Sequence, residues 1–119
     1  MFTQTARVIR AAAVPDEELA PTPLADGQVI SGAPQVRALG ICDGAGLAVG
    51  IWQHGAGVSR DVEADEVFVV LAGRATIEVA DGPTLEIGPG DVGLLPAGAR
   101  TIWTVHEALR KVYLVSTGS

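Results

Sequence analysis

The sequence predicts an all-β protein, folded as a double-sheet jelly roll or barrel with little helix. Three observations predict this fold class: 15 glycines and 7 prolines occur among 119 residues, short apolar runs lie between them, and no segment sustains a long helical period. Glycine and proline at this density are typical of short strands joined by tight turns. We therefore expect about eight to ten strands in a single compact domain.

The first 28 residues are the least periodic part of the chain, and we expect them to form an arm that precedes one barrel domain over residues 29–119. Within the arm, residues 7–10 fit a first strand. Residues 15–19 indicate a short helical turn, which a proline-rich linker follows. We expect the arm to wrap either the barrel or a partner subunit.

The next strands form a hairpin. Residues 36–42 and 47–52 are two strand-like runs, and Asp43-Gly44 between them is a turn signal. We interpret residues 54–57 as a flexible connection, because two of the four are glycine. Residues 59–65 form a polar segment that leads to the following strand.

Five further strands are expected after residue 65. Residues 66–73 predict an apolar strand that ends in a glycine turn, and residues 74–80 predict a strand closed by Asp81-Gly82 against residues 84–87. Later in the chain, residues 101–105 and 111–115 predict two separate strands, with residues 107–110 as their connection.

Composition excludes several function classes. The net charge of −6 disfavours nucleic acid as a partner, because phosphate binding needs clustered Lys and Arg. The single cysteine, Cys42, cannot form an internal disulfide, which favours a reducing compartment. No apolar run reaches the length of about 18 residues that a membrane span needs, and the first residues lack a signal-peptide pattern. We expect a soluble, cytoplasmic protein.

Two motifs with fixed spacing lie in the second half of the chain. Six residues separate Glu66 from Gly73, and five separate Gly90 from Pro96-Ala-Gly98. This spacing resembles the two characteristic motifs of the cupin barrel. Matches over roughly residues 49–115 further resemble the small single-domain cupins related to ureidoglycine aminohydrolase; they include Trp52, Phe68, Asp81-Gly82, Trp103 and Tyr113. The resemblance implies a cupin double-stranded β-helix and, since cupins pair through an edge strand, a homodimer.

Metal-binding cupins hold their ion with three histidines and one glutamate, and the resemblance puts Glu66 at the glutamate position. The corresponding histidine positions hold other residues in this sequence, namely Ser59, Arg60, Asp61, Val62 and Thr101. A divalent transition ion prefers imidazole or thiolate ligands. We therefore expect neither a bound metal nor a cofactor.

An oxygen-only site for a hard ion is the alternative, with Asp61, Asp65 and Glu66 as ligands. Against it, Asp65 and Glu66 are adjacent, so their side chains point to opposite faces of a strand. Arg60 would also repel a cation.

Strand alternation groups the candidate cavity residues. Glu66 and Phe68 share one face of their strand, and Thr101 and Trp103 share one face of another. If Glu66 points inward, these four side chains can line one cavity between the sheets, although Phe68 also fits an ordinary core position. Glu66 is either a structural carboxylate bonded to Arg60 or Arg74, or a group for ligand anchoring and proton transfer.

Three further residues are candidates for function. Lys111 either extends its charge to solvent or, together with Arg60, holds a substrate carboxylate at the mouth of the barrel. His54 is either hydrogen-bonded structurally or a mobile general base at the mouth. Tyr113 or His54 could act with Glu66 in catalysis.

Three functions fit these observations. The first is a metal-independent barrel that binds a small molecule, which follows from the missing ligand set and from the lack of a nucleophile–base pair. The second, implied by the resemblance, is a hydrolase or isomerase that acts on a small nitrogenous metabolite such as a ureide. The third is a structural module whose interior is filled by side chains.

Overall fold

Antiparallel strands make up most of the protein in the computed structural model, which describes residues 2–117. The described residues contain three single-turn 3-10 helices, at Ala11–Ala13, Asp16–Glu18 and Asp26–Gln28, and no α-helix. The nine strands are β1 (Ala20–Pro21), β2 (Val29–Ser31), β3 (Val36–Gly44), β4 (Leu47–His54), β5 (Gly57–Val62), β6 (Glu66–Val79), β7 (Thr84–Ile87), β8 (Val92–Leu95) and β9 (Arg100–Ser116). This architecture confirms the all-β cupin fold that the sequence predicted. No helix of the described part is long and apolar enough to span a membrane.

The long strands β6 and β9 pair with each other along almost their whole length and belong to two sheets at once. In sheet I, β8, the first half of β6, the second half of β9, β4, β3 and β1 follow one another. In sheet II the order is β7, the second half of β6, the first half of β9, β5 and β2. The inner faces of the two sheets meet in one core, which includes Phe68, Val70, Ile77, Trp103, Val105 and Leu109.

The strand between residues 66 and 79 does not turn at Gly73, so the glycine turn and the two separate strands expected there are wrong. Gly73 has φ +87°, and the register between β6 and β9 shifts on both sides of it. A Cβ at Gly73 would collide with the backbone carbonyl of Ala108 on β9. The glycine therefore forms a bulge, which bends the strand pair from sheet I into sheet II without breaking it. For the same reason residues 101–105 and 111–115 are parts of one strand.

Other expectations are corrected as well. Residues 7–10 do not form a strand, whereas β5 and β8 lie in segments where none was predicted. The β3–β4 hairpin is confirmed, but its predicted turn at Asp43-Gly44 is wrong: both residues pair with β4, and the turn lies at Ala45-Gly46. The β6–β7 hairpin is also confirmed, and Asp81 adopts φ +58° in its turn.

The N-terminal segment lies against the outer face of sheet I, where Arg110 of β9 holds it. The Arg110 guanidinium donates to the carbonyls of Ala11 (3.0 Å) and Val14 (2.6 Å) and pairs with Asp16 (2.9 Å). Leu19 is almost fully buried, and β1 pairs with β3. The segment thus covers its own barrel and leaves the inner face of β9 for the cavity.

Candidate functional site

A cavity of about 220 Å³ opens between the two sheets at the end of the barrel where β6 begins. Its lining combines aromatic and charged side chains, which are Trp52, Arg60, Asp61, Glu63, Glu66, Trp103, Lys111 and Tyr113. The volume lies below the range of about 300–1,000 Å³ typical of drug-sized ligands, so the cavity suits a small metabolite.

Lys111 and Glu66 form an ion pair inside the barrel. The Lys111 Nζ lies 2.7 Å from Glu66 Oε2, and the side chains are only 6% and 8% exposed. Both residues are on inward-facing positions of the paired strands β9 and β6. Of the two alternatives for Lys111, the extension of its charge to solvent is therefore wrong.

The structural alternative for Glu66 was a bond to Arg60 or Arg74, and this partner is wrong, because Glu66 pairs with Lys111. Arg74 instead lies on the surface, where its Nε is 3.6 Å from Glu107 Oε1. The bulge at Gly73 separates the two residues by a bend of β6.

Three aromatic rings surround the Lys111 ammonium. Its Nζ lies 4.4 Å from the ring centroid of Trp52, 4.6 Å from that of Trp103 and 4.7 Å from that of Phe68. All three distances are within the range of about 6 Å for cation–π attraction. We call Trp52, Phe68 and Trp103 the aromatic cage. The cage and Glu66 together offset the desolvation of the ammonium.

Two glycines on neighbouring strands make room for the inward aromatic rings. Gly50 of β4 lies opposite Tyr113, and a Cβ there would collide with the tyrosine hydroxyl. Gly93 of β8 lies opposite Phe68, and a Cβ there would collide with the phenylalanine ring. The cavity wall therefore depends on glycine at both positions.

Glu63 is a buried carboxylate of the cavity that the sequence analysis missed. Its Oε2 accepts hydrogen bonds from the Thr101 hydroxyl (2.6 Å) and from Trp103 Nε1 (3.1 Å). Burial raises the pKa of Glu63, the charges of Asp61 and Glu66 raise it further, and the two hydrogen bonds oppose this. The sequence contained a signal for Glu63. Side chains an even number of residues apart lie on the same face of an extended chain, so residue 63 falls on the same inward-facing side as Ser59.

His54 is fully buried at the end of β4, so its placement in a flexible connection at the mouth is wrong. Its Nδ1 donates to the Gly55 carbonyl (2.6 Å), because a carbonyl can only accept. Nε2 is then free to accept from the Ser59 hydroxyl (2.9 Å). Burial lowers the pKa of His54, and the nearby Lys111 lowers it further. These effects favour a neutral imidazole, and its ring packs 5.3 Å from that of Trp52.

The other predicted site residues are distributed around the cavity. Tyr113 lines it, and burial raises the pKa of its phenol, as does the charge of Glu66. Arg60 lies exposed at the rim. Thr101 and Phe68 do not line the cavity: Thr101 is buried and its hydroxyl donates to Glu63, and the Phe68 ring packs against the Lys111 ammonium. Side-chain alternation in the sequence therefore identified strands that surround the cavity, although not every predicted residue lines it.

The residues present do not fit a transition-metal site. Glu66, the one residue at a metal-ligand position of the resemblance, already bonds to the Lys111 ammonium. Within residues 2–117, no three His, Cys, Asp or Glu side chains are grouped so that they could hold an ion.

A larger and more open groove of about 830 Å³ lies beside the cavity, along β5, the end of β6 and the start of β9. Apart from Arg60, Asp61, Glu78 and Arg100 its lining carries no charged side chain, and these four are exposed. We place the candidate site in the smaller cavity, because only there are charged groups buried against aromatic rings.

Comparisons with known proteins agree with this fold. The family model of the EutQ-like cupin domain matches residues 44–113. The solved structure of EutQ from Clostridium difficile has a TM-score of 0.64 and 18% sequence identity, covering 76% of this chain and 75% of that chain. A putative ethanolamine utilization protein Q from Salmonella typhimurium has a TM-score of 0.62 and 18% identity, covering 85% of this chain and 95% of that chain.

A third similar structure is that of a longer protein. This protein of unknown function from Pseudomonas syringae pv. tomato, which belongs to the DUF861 family, has a TM-score of 0.73 and 25% identity. The match covers 82% of the present chain and 44% of the Pseudomonas chain. No curated protein matches the sequence. The cupin resemblance is thereby confirmed, and the narrower resemblance to ureidoglycine aminohydrolase stays a prediction.

Proposed function

The chain belongs to the family of EutQ-like cupin domains, and within this family we propose that it binds a small metabolite in the cavity between its sheets without a transition metal. One observation carries the proposal: an ion pair, Lys111–Glu66, lies buried inside an aromatic cage that forms part of the cavity wall. The protein would act in the cytoplasm, where its single cysteine stays reduced.

The energetics of buried ion pairs support a functional reading. Moving two charges out of water costs several kcal/mol per ion, and apolar side chains of similar volume often stabilise a fold equally well. A carboxylate, an ammonium and a phenol that border an open cavity can instead bond to a ligand. The Lys111 ammonium has three N–H donors, of which Glu66 occupies one.

A ligand screen tests the proposal. A small molecule that enters the cavity should change the tryptophan fluorescence and raise the melting temperature. At a ligand concentration of 100 times its Kd, binding adds about 2.7 kcal/mol to the free energy of unfolding. Trp52 and Trp103 both line the cavity, so Trp52→Phe and Trp103→Phe should each reduce the fluorescence response.

Two variants test whether the ligands found in the screen bind in the cavity. Glu66→Gln and Lys111→Met should each change the affinity, whereas Arg74→Ala, which removes an exposed charge outside the cavity, should not. If hits bind with the same affinity to all four proteins, the site lies elsewhere and the barrel is a packed structural module.

An enzymatic function is the second candidate. The resemblance to ureidoglycine aminohydrolase suggests a hydrolase or isomerase for a small nitrogenous metabolite, with Glu66 and the neighbouring Tyr113 as proton-transfer groups. His54 is the third predicted catalytic residue, and it could act only through Ser59 or through an opening of its buried position. Release of ammonia from ureides by the wild-type protein but not by Glu66→Gln would support this function.

A further inference from the structure

The charges that line the cavity do not balance. Two positive side chains, Arg60 and Lys111, stand against three negative ones, Asp61, Glu63 and Glu66. Lys111 neutralises Glu66 at 2.7 Å, and Arg60 and Asp61 are both exposed at the rim. Glu63 remains, and no ion pair of the described chain includes it. Among the residues that the structure describes, Glu63 is thus the one buried carboxyl of the cavity lining that has no countercharge when it is ionised.

The position of Glu63 leaves one of its oxygens available. Oε2 is fixed by the Thr101 hydroxyl and the Trp103 indole, which are both neutral. Within residues 2–117 the side chain makes no other hydrogen bond, and no buried side-chain oxygen or nitrogen lacks a partner. Because Oε1 has no hydrogen-bond partner in this part of the chain, it must keep some exposed surface. Glu63 lines the cavity, so we place that surface there, where Oε1 can accept a bond from a ligand.

We propose that the cavity selects a small organic cation, whose protonated nitrogen donates to Glu63 and whose alkyl or planar part packs against Trp52 and Trp103. This rests on the proposed function and names its ligand class. An ionised carboxylate that is buried without a countercharge is costly, and a ligand cation removes that cost. The indole faces add cation–π attraction, as they already do for Lys111.

Lys111 does not oppose such a ligand strongly, because Glu66 compensates its charge at contact distance. The cavity volume of about 220 Å³ restricts the cation to a few heavy atoms. Alkylammonium and guanidinium ions meet both conditions, whereas a carboxylate anion would meet the unpaired Glu63 and be repelled.

Binding should be coupled to the ionisation of Glu63. The cation needs the ionised carboxylate, and burial holds the pKa of Glu63 above its ordinary range. Affinity should therefore rise as the pH increases through that pKa, and at lower pH each binding event should release a proton.

Isothermal titration calorimetry with matched probes tests the inference. The cations are methylammonium, ethylammonium and guanidinium, the anion is acetate and the neutral probe is acetamide. We expect the cations to bind the wild-type protein and Glu63→Gln to lower their affinity at least about tenfold, the usual effect of removing a charged hydrogen-bond partner. Glu107→Gln, which removes an exposed carboxylate outside the cavity lining, is the matched control and should change the affinity less than about twofold.

Each outcome decides between the two proposals. If acetate or acetamide binds and the cations do not, the ligand class is wrong and the small-molecule site stands. Equal cation affinity in the wild type and Glu63→Gln also overturns the role of Glu63. If no probe of any class binds or shifts tryptophan emission, both proposals fail. If Glu63→Gln does not fold, proton release by the wild-type protein tests the role of Glu63 instead. It is measured by calorimetry in buffers of different ionisation enthalpy. Cation binding at low pH without proton release would contradict the role of Glu63.

Discussion

Lys111 holds its ammonium in the interior because Glu66 and the aromatic cage replace its water. Removing one partner would leave the other charge buried and unpaired. We predict that Lys111→Met lowers the free energy of unfolding by about 3–5 kcal/mol. The double variant Lys111→Met/Glu66→Met should recover most of this loss, since well-packed apolar side chains can replace a buried pair. Chemical denaturation of the three proteins measures both effects.

The exposed pair between Arg74 and Glu107 is the matched control. Arg74→Ala should cost less than about 1 kcal/mol, because water and salt screen a surface pair. A loss in Lys111→Met that is no larger than this would contradict the buried position of the ammonium.

The buried carboxylate of Glu63 predicts a pH dependence with a defined sign. Its pKa in the folded state is raised above the ordinary value of 4.5, so its contribution to stability is fully present below pH 4.5 and is lost as the pH rises through the folded-state pKa. Glu63→Gln keeps the oxygen that accepts from Thr101 and removes the charge. The variant should be more stable than the wild type at pH 7 and equal to it at low pH.

Thermal unfolding from pH 4 to pH 8 checks this prediction. His54 acts in the opposite direction, because its lowered pKa contributes stability that is present above pH 6.5 and lost as the pH falls through the folded-state value. A wild-type curve that stays parallel to that of Glu63→Gln over the whole range would show that Glu63 is not desolvated.

At the scale of single residues, the sequence predicts faces better than partners. The inward position of Glu66 follows from alternation with Phe68, and both were placed correctly. The bond between Glu66 and Lys111 depends on the register between β6 and β9, which no local pattern encodes. Glu63 was missed because it directly follows β5, a polar strand whose strand character comes from pairing with β9.

At the scale of elements, the two motif glycines have different roles. Gly98 turns the chain with φ +85° and open space around its Cβ position, whereas Gly73 has φ +87° and its Cβ position is blocked by Ala108. We predict that Gly98→Ala costs about 1 kcal/mol from backbone strain alone. Gly73→Ala should cost more than about 3 kcal/mol, since the backbone of β9 must also move.

Melting curves and circular dichroism of the two variants check this difference. Gly88→Ala, which has open space and no positive φ, is the control and should unfold like the wild type. Equal melting temperatures for Gly73→Ala and Gly98→Ala would mean that the bulge is not closely packed against β9.

The bulge also explains why the sequence suggested shorter strands. A glycine that ends an apolar run and precedes an alternating run is the sequence pattern of both a turn and a bulge. Which of the two forms depends on whether a partner strand continues past the glycine, and here β9 does. The hairpin at Asp81-Gly82 was predictable, because its turn is closed locally.

At the scale of the whole molecule, the outer face of sheet I predicts how copies of the chain associate. β8 is an edge strand in the described part, and Val92 and Leu94 on it are about 70% exposed. Val67 of β6 lies beside Leu94 on the same face. An apolar edge of this kind favours pairing with another strand, and we predict a homodimer that buries it.

Light scattering coupled to size-exclusion chromatography measures the oligomeric state. Leu94→Lys should shift the wild-type dimer toward monomer. Val62→Lys changes an equally exposed valine on β5, at the other sheet, and should leave the dimer intact. A dimer that persists in Leu94→Lys, or a wild type that is monomeric, would contradict this interface.

The shared strand β9 has a consequence for biosynthesis. It is the last of the nine strands to be made, and it lies in the middle of both sheets. At a translation rate of about 5–20 residues per second, β6 waits a few seconds for this partner after it has been made. Until then the inner faces of β4, β5 and β6 cannot close over each other, so the nascent chain depends on protection from aggregation. A proteolytic cut within residues 100–116 would likewise dismantle both sheets at once instead of trimming one of them.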